Sequence, residues 1–363
     1  MSLTRSAATA AAGGNGTGRR EPGPRLLASR KPLPPVLAAL IARPELGAVV
    51  ATLAILIFFS LASDSFLTLA GAGVWLESAS TYGIMAVAVA LLMIGGEFDL
   101  SAGVMTGFTA LIVGVLTTQI GVNVWVAAII SLIAALAVGA FNGIVVIRTG
   151  LPSFIVTLAT FFVLQGVDLA VTKLITGQVV IQGMAQVPFY DSIQPVFGSS
   201  LTIGSANFYV SVLWWLAVAG LGIWVLNHTR VGNWIYAVGG APQAARQVGV
   251  PVRATKVGLF MTTATAGWLV GMISLFRTST VQANTGVGQE FIFMICAVVG
   301  GCLLTGGFGS VGGAALGALI YGMTFQGITF AGWDTNWLKT FLGVMLFAAV
   351  IINHYVRKRA TAA

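Results

Sequence analysis

From about Leu46 onward the chain is a succession of apolar runs, each close to the roughly 20 residues at which a helix crosses the ~30 Å hydrocarbon core of a bilayer. The runs are continuously apolar rather than alternating, so they read as helices and not as barrel strands, the other structure that satisfies its own backbone in lipid. Only 8% of residues are charged and the mean hydropathy is +0.94, whereas a soluble domain carries about 25% charged residues. The pattern predicts an all-α integral membrane protein with ten spans: 46–63, 80–95, 102–119, 123–146, 153–174, 207–227, 257–276, 290–305, 310–329 and 336–355. The second and eighth are short and end in glycines, which predicts broken or re-entrant helices there.

Charge placement predicts the orientation. With the N-terminus in the cytoplasm, Lys173, Arg277 and Lys339 are the only Lys or Arg on the outer side, and the other basic residues fall inside. The +8 net charge is therefore a topology signal, and nucleic acid is not an expected partner. Three regions follow: a basic cytoplasmic tail over 1–45, a transmembrane domain over 46–355, and a short basic cytoplasmic tail over 356–363. The tail over 1–45 is rich in Ala, Gly, Pro and Arg, reads as flexible, and shows no signal-peptide pattern. The longest outward connection, 175–207, has strand-like residues around Val179–Ile181 and reads as a small plug or a docking surface.

Catalytic and metal chemistry have no visible carrier. Cys296 and Cys302 share an apolar run and fit packing, and His228 and His354 are scattered, so no metal site is expected. None of the five lysines completes a phosphate-binding Gly-rich loop, and no hydrolase motif occurs. If nucleotide drives this protein, another chain binds it.

The polar segments carry the functional reading. The basic loop 229–256 lies between two apolar spans, and within it residues 241–249 read as one short helix. Gly239 and Gly240 permit a turn before it, Pro242 suits its first turn, and Gly249 with Pro251 closes it. A helix this short needs a surface to dock on. Arg230, Gly232, Gly239, Gly240, Ala244, Ala245, Arg246 and Gly249 are its candidate coupling residues.

Polar residues inside the spans are costly in hydrocarbon and line either a water-filled path or a helix interface. Residues 95–103, Gly-Gly-Glu-Phe-Asp-Leu-Ser-Ala-Gly, break the chain after the second span, where Asp99 or Ser101 can cap the next helix. Asn142, Thr157, Thr160, Gln165 and Asp168 form a second group, three of them on one helical stripe. Residues 277–290 form a third group in an outward segment, with Gln282, Asn284 and Gln289 as donors and acceptors and Glu290 either on the path or suited to a helix N-terminus. The Gly-rich segment 300–313 echoes residues 95–103 and hints at an internal duplication.

The ordered set of GGEFDLSAG (95–103), NG (142–143), LPSFIVTLAT (151–160), the loop 229–256, QANTGVGQE (282–290) and the run 300–320 resembles the permease subunits of bacterial ABC importers for ribose, xylose and related monosaccharides. The resemblance spans about 50–355. It implies a ten-helix permease of the cytoplasmic (inner) membrane that pairs with a second copy, usually identical. It also implies a cytoplasmic ABC ATPase that holds ATP and Mg, and an external sugar-binding protein. No cofactor is expected on this chain. The family segment that touches the ATPase falls on Arg230 to Gly249.

The chain also departs from that pattern. Residues 95–101 are one residue longer and one carboxylate richer than the usual Gly-Gly-Ile-Asp-Leu-Ser. Ala241, Gln243 and Ile292 stand where an Asn, a Glu and an Asp are usual. The expected function is import of a monosaccharide or related polyol by alternating access, without covalent chemistry by this chain. The alternative is an ion-coupled secondary transporter with Glu97, Asp99 and Asp168 as proton carriers.

Overall fold

The computed structural model describes residues 44–360. Nearly all of the tail expected over 1–45 lies outside the described residues, as do 361–363 of the C-terminal tail. Thirteen helices occur among the described residues. They are α1 (Pro44–Ala62), α2 (Leu69–Ile94), α3 (Ala102–Thr118), α4 (Val124–Thr149), α5 (Ser153–Thr176), α6 (Tyr190–Phe197), α7 (Val210–His228), α8 (Arg230–Gly240), α9 (Pro242–Gln247), α10 (Val252–Thr278), α11 (Gln289–Val299), α12 (Val311–Phe330) and α13 (Trp337–Ala360).

Ten of them fall on the ten expected spans. Seven are long and apolar enough to cross a membrane, while α3, α11 and the apolar part of α13 are shorter. The innermost spans are α2, α10 and α12, and α1, α4, α5 and α7 bury much less of their length. Their outward faces carry Leu53, Ile57, Ile129, Ile133, Phe162 and Leu216. Exposed apolar side chains on a spanning helix are what hydrocarbon solvates.

The expectation that the second span is short or broken is corrected. α2 is one unbroken helix of 26 residues, about 39 Å at 1.5 Å per residue. Its first half holds Gly71, Gly73, Glu77, Ser78 and Ser80, which lowers hydropathy where the helix is in fact continuous. Packing removes the cost of these residues: Glu77 pairs with Arg277, and Ser80 donates to the Ser211 hydroxyl at 2.8 Å. The eighth span is short. α11 has 11 residues, about 16 Å, ends at Val299, and leaves Cys302 outside any helix. Both cysteines are buried and unpaired.

The loop before α11 reaches deep into the fold. Gly286 lies so close to Gly103 that a Cβ on either would collide with the other's carbonyl oxygen. Irregular backbone at such depth is tolerated where protein surrounds it.

The segment expected over 175–207 is ordered and structured. β1 (Val180–Ile181) pairs antiparallel with β4 (Val281–Gln282), and β2 (Ser200–Ile203) with β3 (Ala206–Tyr209) forms a hairpin. Between them, Tyr190 of α6 donates to the Phe276 carbonyl at 3.1 Å and Ser192 accepts from Trp125 Nε1 at 2.8 Å. α13 runs to Ala360, through residues assigned to the C-terminal tail.

Contacts sort the connections onto two faces. Glu45 at the start of α1 accepts from Ser310 at 2.6 Å, Gly307 N–H donates to Ile94 O at 2.8 Å, and Glu97 pairs with Lys256. These residues and the 229–256 segment share one face, here the basic face. Glu77, Arg277 and the strands lie toward the other.

Candidate functional site

On the basic face, α9 is a six-residue helix with Pro242 in its first turn. It closes on Gly249 at φ +84°, with Val250 N–H donating to Ala245 O at 3.0 Å. This left-handed glycine closure satisfies carbonyls that so short a helix leaves open. Of its residues only Ala245 is buried, 4% exposed, against Val238 and Val252. Pro242, Gln243, Ala244, Arg246, Gln247 and Gly249 are exposed, and Val248 is 80% exposed. α9 is thus a protruding knuckle clipped on by one alanine.

Two helices brace it. α8 was not anticipated, because Gly232, Gly239 and Gly240 read as turn residues. Yet Val231, Trp234, Ile235 and Val238 follow an i, i+3, i+4, i+7 stripe, and Thr229 caps the helix by accepting from Gly232 N–H. Gly239 and Gly240 therefore end a helix instead of making a turn between strands of loop, and the break falls at Ala241. The lack of a side chain at Gly239 matters, since a Cβ there would strike the Ile94 carbonyl oxygen. Gly96 packs on Gly239 from the α2 side, and Tyr236 donates to Gly309 O at 2.9 Å. Arg230 is exposed and Gly232 buried.

On the other flank, Lys256 in the first turns of α10 pairs with Glu97. The knuckle is therefore tied through both neighbours to residues 94–97, at the end of α2.

Residues 97–101 are non-helical and lead back into the protein to start α3. Their backbone donors need partners, and side chains from α5 supply them: Phe98 N–H donates to Ser153 Oγ and Leu100 N–H to Thr157 Oγ1, both at 3.0 Å. Asp99 accepts from Ser101 N–H at 2.8 Å and from Ser101 Oγ at 2.5 Å, which makes Asp99 the local cap. Ser101 Oγ accepts from Asn142 Nδ2 at 3.1 Å, and Asn142 Oδ1 accepts from Thr160 Oγ1 at 2.6 Å. Asp99, Ser101, Asn142, Thr157 and Thr160 are all buried. They form one network that joins the segment after α2 to α4 and α5.

The remaining predicted residues stand apart. Gln165 is half-buried. Asp168 is buried, and its Oδ2 has no hydrogen-bond partner among the described residues. Gln282, in β4, and Asn284, just after it, are exposed on the opposite face. Glu290 is buried at the start of α11, where its Oε2 accepts from Gly288 N–H at 3.0 Å, as expected of an acidic side chain at a helix N-terminus.

Two cavities occur. One, of about 520 Å³, is an apolar cleft lined by α2, α7, α8 and α10. The other, of about 220 Å³, lies toward the opposite face among α2, α3, α10, α11 and α12, and its wall mixes hydroxyls, an amide and aromatic rings. Arg277, Thr285 and Gln289 of this wall lie in the polar outward segment expected from the sequence, whereas the α2, α3 and α12 residues that complete it come from segments that sequence reasoning did not join to it. No cluster of metal-binding side chains occurs among the described residues.

Residues 71–350 match the family described as branched-chain amino acid transport system / permease component. The inner membrane ABC transporter permease protein YjfF of Escherichia coli (strain K12) is 31% identical over 275 residues, 75% of this chain and 80% of that protein. The ribose import permease protein RbsC of the same organism is 29% identical over 311 residues, 85% of this chain and 94% of that protein. Its xylose transport system permease protein XylH is 28% identical over 364 residues, 86% of this chain and 92% of that protein. No solved structure matches.

Proposed function

The chain belongs to the branched-chain amino acid transport system / permease component family, and from that premise we propose that it is the membrane-spanning subunit of an ATP-driven importer of a monosaccharide or related polyol. The relatives named for ribose and xylose support the cargo class. A cytoplasmic ABC ATPase, holding ATP and Mg, docks on α9. A sugar-loaded binding protein docks on the opposite face, and a second copy of the chain completes the path. The basic face is cytoplasmic, with both termini, in the bacterial inner membrane.

The observation that carries this reading is the mounting of α9. A helix exposed on all sides but one offers a socket to a partner, and its two flanks meet at residues 94–97, so displacing it displaces the start of α3 and the network on α4 and α5. Movement delivered by the ATPase thereby reaches the spans without any chemistry in this chain.

The test is reconstitution with the ATPase and the binding protein in liposomes, using radiolabelled D-ribose, D-xylose and D-fructose. Accumulation that requires ATP and all three components supports the proposal. Accumulation by this chain alone under a proton or sodium gradient would replace it with ion-coupled transport.

A further inference from the structure

We propose that the 520 Å³ cleft holds one acyl chain of an anionic phospholipid, with its phosphate on Arg230 and Arg253 at the mouth; this goes beyond the transport reading and does not depend on the cargo.

Inward of its mouth the wall answers to hydrocarbon. Leu91, Leu221, Val225 and Leu259 are typical of it, and its hydroxyls are already engaged within α10. Thr255 donates to Pro251 O at 3.0 Å, Thr262 to Gly258 O at 2.8 Å and Thr265 to Met261 O at 2.8 Å. A polar solute finds little to bond here, and an apolar cavity does not fill with water. The cleft opens sideways between α7 and α10, where Leu221, Val231, Gly258 and Thr262 are exposed.

Its dimensions separate a lipid chain from a helix. The lining residues of α10 run from Ala254 to Leu269, about 22 Å at 1.5 Å per residue, and one leaflet with its headgroups is about 20–22 Å deep. Spread over that length, 520 Å³ is a channel roughly 5 Å wide, against about 10–12 Å for a helix with its side chains. A chain of methylenes in van der Waals contact with the walls fits this channel; a helix from a second copy does not.

The mouth supplies the headgroup selectivity. It lies on the basic face at the starts of α8 and α10, where Val231 and Ala254 line the cleft and the neighbouring Arg230 and Arg253 are exposed. Neither guanidinium has an ionic partner among the described residues, and no Asp or Glu occurs over 229–256. Trp234, at the same end of the wall, has an indole N–H without an acceptor among the described residues, and such rings settle at headgroup level. Two free cations and an indole donor over an apolar slot complement a phosphate on a hydrocarbon chain. The chain would bear on α8, the helix that braces α9, through Val231, Trp234 and Ile235.

The test places the full chain in phosphatidylcholine nanodiscs that contain a trace of phosphatidylglycerol or of phosphatidylcholine carrying a diazirine midway along one acyl chain. Photolysis should label the residues of α7 and α10 that line the cleft, and the phosphatidylglycerol probe should label them better by about fivefold for each arginine, the effect of one basic residue at an anionic surface. Arg253→Gln should cut that preference about fivefold. Gly258→Leu should block the cleft and abolish its labelling without a clash, because a Cβ at Gly258 meets nothing within 4 Å; Thr262→Leu fills the same space from the next turn and should do the same. Equal labelling by the two probes, or labelling unchanged in both filled variants, would mean bulk lipid only and overturn the proposal. Crosslinking from a photo-reactive residue at position 258 to residues 1–43 of this chain, or to a second copy, would give the cleft to that occupant and overturn it as well.

Discussion

Glu97 and Lys256 pair across 159 positions of sequence, joining the segment that follows α2 to the first turns of α10, directly beside the α9 knuckle. Glu97 is buried and engaged in the fold. A charge at this depth is tolerated because its partner, Lys256, arrives from the start of α10.

Removing one member of this pair should be costly. Glu97→Gln leaves the Lys256 ammonium half-buried without its partner, a loss on the order of 3 kcal/mol for a buried pair and somewhat less here because Lys256 keeps some solvent contact. Thermal unfolding in detergent should fall, and uptake per ATP should fall with it. The exchange Glu97→Lys with Lys256→Glu should recover most of both.

Thr157→Val should destabilise more than its small volume change suggests. It leaves Leu100 N–H buried without an acceptor, at a cost of about 1–3 kcal/mol, whereas Thr157→Ser keeps the oxygen and should behave as the parent. Chemical denaturation monitored through the tryptophans compares the two.

Ala245→Leu should lift α9 from its seat. The alanine fills a small space against Val238 and Val252, and forcing three more carbons into it costs about 1–3 kcal/mol. Membrane insertion should be normal, because no span is touched, and ATP-driven uptake should be lost. Normal uptake with normal ATPase co-purification would mean that the seating of α9 is not used.

Asp168→Asn separates the two transport classes. The carboxylate is buried with one oxygen unpartnered, which suits a proton carrier in an ion-coupled transporter, whereas ATP-driven transport through α9 requires no charge at this position. Uptake by the variant should stay within about twofold of the parent, well under the tenfold that a lost transition-state contact of 1.4 kcal/mol brings. Its dependence on an imposed pH gradient should remain absent.

The spans were readable because apolar runs near bilayer length admit few structures, and α9 was readable because proline, alanines and glycine occur in helix order. What stayed hidden depended on distant contacts. The second span looked short because the polar first half of α2 lowered its hydropathy, a cost that the Glu77–Arg277 pair removes, and α8 was masked by glycines, of which Gly239 serves packing against Ile94. Thr157 and Thr160 were visible as a stripe, but their task of satisfying the non-helical backbone after α2 required knowing that this segment enters the fold. The polar cavity was legible only in part: Arg277, Thr285 and Gln289 stood in a flagged polar segment, but their meeting with α2, α3 and α12 depended on distant contacts.

The most direct measurement places a photo-crosslinking amino acid at position 246, on the exposed side of α9, in cells that make the whole complex. The ATPase subunit should be the captured protein, and a cysteine at the same position should resist an impermeant thiol reagent added outside intact cells. Capture of the external binding protein, or rapid labelling from outside, would contradict entry of mechanical work through α9.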